Sequence, residues 1–243
     1  MEPAALVALF EEVATAIRAA LDELADWGRA DGHDGQYQHD VVADDVAVPM
    51  LLDAGLGVVS EESPTRDPDR PVVAVIDPID GSTNASMGLP WFATSLAAVD
   101  ADGLVAGVVV NQALGVTYSA TRGGGAFRDG ARIAPSTCDT LADAIVIIND
   151  RPPAGFSPRQ YRVLGAAALD MCAVADGTAD AFADYGVGLR PWDYLGALVV
   201  CQEAGVAVGS FSGEHLVEAS DMRRSPVVAS SPAVRDAIVA IGR

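Results

Sequence analysis

Hydrophobic and polar positions alternate along the chain with two different periods, and the change of period marks its elements. From Pro3 to about Trp27 the apolar residues Leu6, Leu9, Phe10, Val13, Ile17, Leu21 and Leu24 recur at helical spacing, which predicts a long amphipathic helix. A polar stretch rich in Gly, Asp and His, Asp31 to Asp40, reads as a loop, and helical spacing returns from Val41 to Leu52. Val58-Val59 and Pro71 to Ile76 are short runs rich in β-branched residues, each ending at acidic residues, as buried strands would. Thr94–Val99 and Leu104–Asn111 flank Asp102-Gly103, and Ala126–Arg128 precedes Asp129-Gly130; both are hairpin signals.

After Pro135 the pattern changes. It reads as a strand (Ala144 to Ile148), a helix (about Val163 to Ala175), a strand (Ala179 to Ala183), a helix (Trp192 to Ala204), a further strand and a last helix from Pro232. The chain therefore divides softly into an α+β half, residues 1–134, and an alternating α/β half, residues 135–243, with no linker long or polar enough to separate them.

With 243 residues, half of them hydrophobic, a substantial core is within reach. The formal charge of −19 argues against nucleic acid as the partner, because an acidic surface repels phosphate chains. All 15 basic residues are arginine, which excludes Schiff-base and P-loop lysines. Cys138, Cys172 and Cys201 are widely spaced among apolar residues, as reduced buried thiols are. The N-terminus lacks signal-peptide chemistry and no apolar run of about 18 residues occurs, so a cytoplasmic protein without a membrane partner is expected.

The chemistry concentrates in Asp77-Pro78-Ile79-Asp80-Gly81-Ser82-Thr83-Asn84, read as strand, tight turn and helix start. Two carboxylates around a proline can converge on one point, and carboxylate oxygens suit magnesium. Gly81, Ser82 and Thr83 then offer backbone N–H groups to a phosphate. Alone, Asp80 or Ser82 could simply cap a helix, Glu61-Glu62 could be a solvated turn, and Asp193 could be the N-cap of its helix. Together they supply the carboxylates that two-metal phosphoryl hydrolysis requires. Gly123-Gly124-Gly125 leads into a strand and reads as a hairpin turn, and Trp91 as packing.

Glu61-Glu62, Asp77 to Asn84, Trp192-Asp193 and Glu203-Ala204-Gly205, in that order, resemble the signatures of the inositol monophosphatase family over nearly the whole chain. The resemblance implies a layered αβαβα sandwich of the inositol monophosphatase/fructose-1,6-bisphosphatase type, usually a dimer, with two to three magnesium ions. By position, Glu61, Asp77 and the Ile79 carbonyl would hold one ion, and Asp77, Asp80 and Asp193 a second, with Asp44 near a third. Ser82 stands where the family has a threonine that, with Glu61, orients the attacking water. Gly165, Ala166 and Ala167 match a turn lining the substrate hydroxyls, and Asp184 an acidic residue that bonds the polyol.

The implied reaction is hydrolysis of a small phosphorylated metabolite by metal-activated water, with inositol 1-phosphate as first candidate. Nucleoside 3′(2′),5′-bisphosphate, fructose 1,6-bisphosphate and histidinol phosphate are alternatives on the same fold. A bisphosphate would want arginines at the mouth, for which Arg162 and Arg190 are the nearby candidates. A non-catalytic protein-binding scaffold is the alternative of another class. The sequence departs from the family in its short Asn149–Arg162 segment, in Val206 after Gly205, and in the early loop. That loop carries Asp31, His33, Asp34, His39 and Asp40, a set that suggests either hydration or an extra metal.

Overall fold

The computed structural model describes residues 1–30, 36–217 and 222–243. Five layers stack in the order helix, sheet, helix, sheet, helix. Helices α1 (Pro3–Asp22) and α2 (Gln38–Asp53) cover one face of a seven-stranded sheet. That sheet runs β1 (Gly57–Ser60), β2 (Val73–Asp80), β3 (Ala93–Asp100), β4 (Gly103–Asn111), β5 (Thr117–Thr121), β6 (Gly125–Arg128) and β7 (Ala131–Arg132), in sequential order. Only β1 and β2 are parallel; the rest form the antiparallel meander.

The short helix α3 (Ser82–Ser86) follows β2 directly. Helices α4 (Ala167–Ala175) and α5 (Pro191–Ala204) form the middle layer. The second sheet comprises β8 (Ile145–Ile148), β9 (Gln160–Arg162), β10 (Ala181–Ala183), β11 (Ala207–Ser210) and β12 (Pro226–Ala229), in the order β11-β12-β10-β8-β9. Helix α6 (Pro232–Ile241) closes its outer face.

The α1 stripe packs as its spacing requires, with Leu6, Phe10, Val13, Ile17 and Leu21 buried against Ala74, Ile76, Leu96 and Val108. The helix ends at Asp22 rather than near Trp27. At the β6–β7 hairpin, Asp129 and Gly130 both have positive φ, 50° and 76°, the turn that matches strand twist.

Three further expectations are corrected. The loop read over Asp31–Asp40 gives way to α2 at Gln38, where His39 and Asp40 are buried; Asp31, His33 and Asp34 lie outside the described residues. The helix expected from Val163 starts at Ala167, because 160–162 pair with β8 and Gly165 takes φ +85°. The strand β2 does not stop at Asp77 but continues to Asp80.

That continuation positions the site. Along β2, Ala74 and Ile76 face α1 and α2 while Val75 faces the middle helices. In an unbroken strand, residues three apart point to opposite faces. The register shifts between Asp77 and Asp80, around Pro78, and Ile79 turns to the α1–α2 side. Both aspartates therefore face the middle layer, where α4 and α5 begin. What brings the two aspartates to one side is a bulge within the strand, not the turn after it that the sequence suggested.

Candidate metal centre

Glu61, Asp77 and Asp193 each place a carboxylate oxygen within 4.8 Å of the other two. Their positions follow from the fold. The parallel register of β1 with β2 sets Ser60 beside Ile76, and the Glu61 N–H donates to the Ile76 carbonyl, so Glu61 arrives next to Asp77. Asp193 comes from the first turn of α5. It is the third residue of that helix and not its N-cap, and its Oδ2 accepts the Arg190 N–H at 2.7 Å. The capping function and a place in the carboxylate cluster thus coexist.

The electrostatics are those of a site suited to a cation. Burial, then the neighbouring charges of Asp193 and Glu62, pushes Glu61 up to about 8, although its side chain reaches the surface. Asp77 is raised well above the usual carboxylate range by burial, then by Glu61 and Asp80. Asp193 rises to about 6, chiefly through burial. Asp77 is 3 % exposed and its Oδ1 has no hydrogen-bond partner. An unpartnered buried carboxylate oxygen is costly. A divalent cation held by oxygen ligands removes both the orphaned acceptor and the mutual repulsion, so these residues fit magnesium.

Asp80 stands beside this set. Its Oδ1 accepts the Ala167 N–H at 3.2 Å and its Oδ2 the Ala168 N–H at 2.7 Å, the first two donors of α4. Its pKa is raised well above the usual carboxylate range by burial and then by the charge of Asp193. The Ile79 carbonyl accepts the Ser82 hydroxyl at 2.9 Å, which holds Ser82 at the start of α3. Gly81 adopts φ +90°, and a Cβ there would lie 3.0 Å from the Ala166 Cβ and 3.1 Å from the Gly165 and Trp91 carbonyl oxygens. Thr83 is exposed on α3.

The substrate-side residues adjoin the centre. Gly165, Ala166 and Ala167 line a cavity of about 220 Å³ with Asp80, Asn149, Asp170, Leu189 and Asp193. Asn84 ties its wall together, donating to the Trp91 and Leu164 carbonyls at 2.8 and 2.7 Å. Asp184 is fully buried; its Oδ1 accepts from Asn149 and from the Gly186 N–H, and its charge reaches Asp193.

Asp44 falls elsewhere. It accepts the Ser60 hydroxyl and lines a separate surface pocket with Asp45, Ser63 and Arg66. The α2 acid whose charge acts on Glu61 and Asp77 is Asp40. Sequence reading assigned Asp40 to the loop. A signal was available, since an acid three residues after Tyr37 can bond the Tyr37 N–H, as Asp40 does at 2.8 Å. Asp170 was also missed: it is fully buried, bonded by the Trp91 indole at 2.8 Å, and pushed up to about 8 by burial. Arg162 is exposed on β9 with its guanidinium bonded to Gln160 and the Tyr161 carbonyl. Gly123 and Gly125 donate to the Glu203 carboxylate at 2.8 and 2.9 Å, a structural turn as expected.

The fructose-1,6-bisphosphatase/inositol-1-monophosphatase of Archaeoglobus fulgidus is 36% identical over 183 residues, covering 73% of this chain and 71% of its own. Nus factor SuhB of Escherichia coli is 34% identical over 202 residues, covering 75% and 72%. Among solved structures, a hypothetical protein of Pyrococcus horikoshii superposes with a TM-score of 0.87 at 22% identity, over 96% of each chain. The extragenic suppressor protein SuhB of Bartonella henselae gives 0.84 at 25%, over 98% of each. The model of the inositol monophosphatase family matches residues 53–241, a span that takes in the carboxylates of the centre and the cavity wall, and the chain belongs to that family.

Proposed function

We propose that the protein is a magnesium-dependent phosphomonoesterase acting on a small polyol or sugar phosphate, with inositol 1-phosphate as the first candidate. The observation that carries this is the meeting of Glu61, Asp77 and Asp193 oxygens within 4.8 Å around the unpartnered Asp77 Oδ1. Bound there, magnesium supplies Lewis-acid polarisation of a phosphoryl oxygen and lowers the pKa of water.

The protein's own groups do the rest. Glu61, Asp77 and Asp193 hold the cation once ionised, with the Ile79 carbonyl and Asp80 as the family's further ligands. The first turn of α3 leaves the Ser82 and Thr83 N–H groups without intrahelical partners, which suits a phosphate oxygen. The Ser82 hydroxyl donates to the Ile79 carbonyl, and its oxygen can accept from and orient water. The small side chains of Ala166 and Ala167 leave room for a ring, and the buried Asp184 holds the amide of Asn149, which lines the same cavity.

A non-catalytic scaffold is the competing reading, supported by a relative named as a Nus factor. Retention of the whole carboxylate set favours the enzyme. The test is phosphate release from inositol, sugar and histidinol phosphates and from adenosine bisphosphate, with and without magnesium, on wild type and Asp77→Asn. Magnesium-dependent release that collapses in the variant supports the enzyme; magnesium binding without release from any ester supports the scaffold.

A further inference from the structure

Two polar side chains outside the carboxylate centre lie buried under α1. Thr94 on β3 is fully buried, and Gln112, directly after β4, is 2 % exposed. Thr94 shares with Leu96 and Ala98 the face of β3 that packs under α1 and α2. A hydroxyl and an amide there are costly unless bonded, and valine and methionine would fill the same space without that cost.

Their hydrogen bonds run in one direction. The Ala14 carbonyl, on α1, can only accept, so the Gln112 atom 3.0 Å from it is the amide nitrogen. The same nitrogen donates to Thr94 Oγ1 at 2.9 Å, which commits the Thr94 proton to its other neighbour, the Pro78 carbonyl, at 2.8 Å. Pro78 belongs to the bulge in β2. Asp77 pairs with Ser95 and Asp80 with Ala93, so Pro78 and Ile79 together oppose Thr94 alone. A bulge leaves its extra residue outside the regular ladder, and Pro78 has no N–H with which to hold its place. The Thr94 hydroxyl supplies that hold from the opposing strand, and Gln112 keeps the hydroxyl turned toward it.

We infer that Thr94 and Gln112 are positioning residues of the metal centre, fixing the bulge at Pro78 that turns Asp77 and Asp80 to one side. This rests on the magnesium centre proposed above and adds the part of the chain that sets its geometry. Neither side chain needs to touch the ion. Rotating the Pro78 carbonyl rotates the whole Pro78–Ile79 peptide plane, which lies between the two aspartates. A centre whose carboxylates converge only through this irregularity loses its geometry when the irregularity is free to relax.

Magnesium binding is measured by titration calorimetry, and stability by urea titration in EDTA, on wild type, Thr94→Val, Thr94→Ser and Gln112→Met. Val234→Ala, buried beneath α6 against the second sheet, is the control for loss of stability alone. Thr94→Val keeps the shape of the side chain and removes the hydroxyl. Its magnesium Kd should rise about tenfold, as it does when groups behind a metal ligand are removed. Thr94→Ser restores the hydroxyl and should bring Kd back to within about twofold of wild type. Val234→Ala should lose stability with Kd unchanged. A Thr94→Val protein that loses stability as Val234→Ala does but keeps its Kd overturns the inference, and so does a Thr94→Ser protein as weak as Thr94→Val. If Thr94→Val does not fold, Gln112→Met decides, because it fills the same space while freeing the hydroxyl to turn from Pro78: Kd raised several-fold upholds the inference, and an unchanged Kd sinks it. A wild type that binds no magnesium refutes the centre itself, a result distinct from a bound ion indifferent to Thr94.

Discussion

The Asp80 carboxylate accepts the backbone N–H of Ala168 at 2.7 Å across 88 residues of sequence, so the end of β2 caps the start of α4. Because Ala167 donates to the other oxygen, two of the lone donors of that helix end are met by one side chain. Asp80→Asn keeps one acceptor and presents an NH₂ group to the second donor. We expect a loss of about 1–2 kcal/mol in stability, read by urea titration. Phosphate release should fall about 10- to 100-fold, as for groups that orient a metal site. Full activity in a destabilised variant would reduce Asp80 to a cap.

A second contact explains how tightly the middle layer is held. A Cβ at Gly107 on β4 would lie 2.5 Å from the Gly196 carbonyl oxygen and 2.8 Å from the Val199 Cβ, both on α5. A Cβ at Gly196 would lie 2.6 Å from the Ser95 hydroxyl and 3.0 Å from the Leu96 carbonyl. Helix and sheet meet backbone to backbone, and α5 carries Asp193 at its start. Gly107→Ala must push α5 outward, at a cost of about 1–3 kcal/mol. Its denaturation midpoint should drop, and its magnesium affinity with it; a variant as stable as wild type would show that the layers can slide.

Much of the centre was legible because its residues are neighbours in sequence. Asp77, Asp80 and Gly81 lie in one run, and Trp192-Asp193 opens a helix that its apolar spacing already announces. What was not legible depended on register. Asp40 and Asp44 are four residues apart and share one face of α2, both buried, so which of them lies level with the centre depends on where α2 begins along the strands. The Tyr37–Asp40 bond sets that start at Gln38. Strand β9 escaped notice because all three of its residues are exposed at a sheet edge, where no alternation of apolar and polar positions is needed.

The two α2 acids make a direct comparison. Asp40 acts on Glu61 and Asp77 through its charge, whereas Asp44 is engaged by Ser60 and lines another pocket. Asp40→Asn removes negative charge near a bound cation and should weaken magnesium binding several-fold, about 1 kcal/mol. Asn retains an acceptor for the Tyr37 N–H, so the helix start should survive. Asp44→Asn should change magnesium affinity less than twofold. Titration calorimetry on both variants checks this, and the reverse order would return Asp44 to the centre.

The raised pKa values give the protein a pH dependence with a definite sign. Unfolded, Glu61 and Asp193 titrate near about 4; folded and without a cation, they are pushed to about 8 and about 6, and Asp77 is raised as well. Between about pH 4 and pH 8 the folded protein therefore holds protons that the unfolded chain has released, and its stability from these groups falls as pH rises through that window. Magnesium binds the ionised carboxylates, so its binding strengthens over the same range. In EDTA, Tm should fall from pH 5 to pH 8.5, and the increase in Tm produced by magnesium should grow over that interval. Asp77→Asn removes one of the repelling charges and a ligand together, so it should flatten both trends. A magnesium effect equally large at pH 5 and pH 8 would mean that the carboxylates are already ionised in the folded protein, and that the orphaned oxygen of Asp77 is satisfied by some other means.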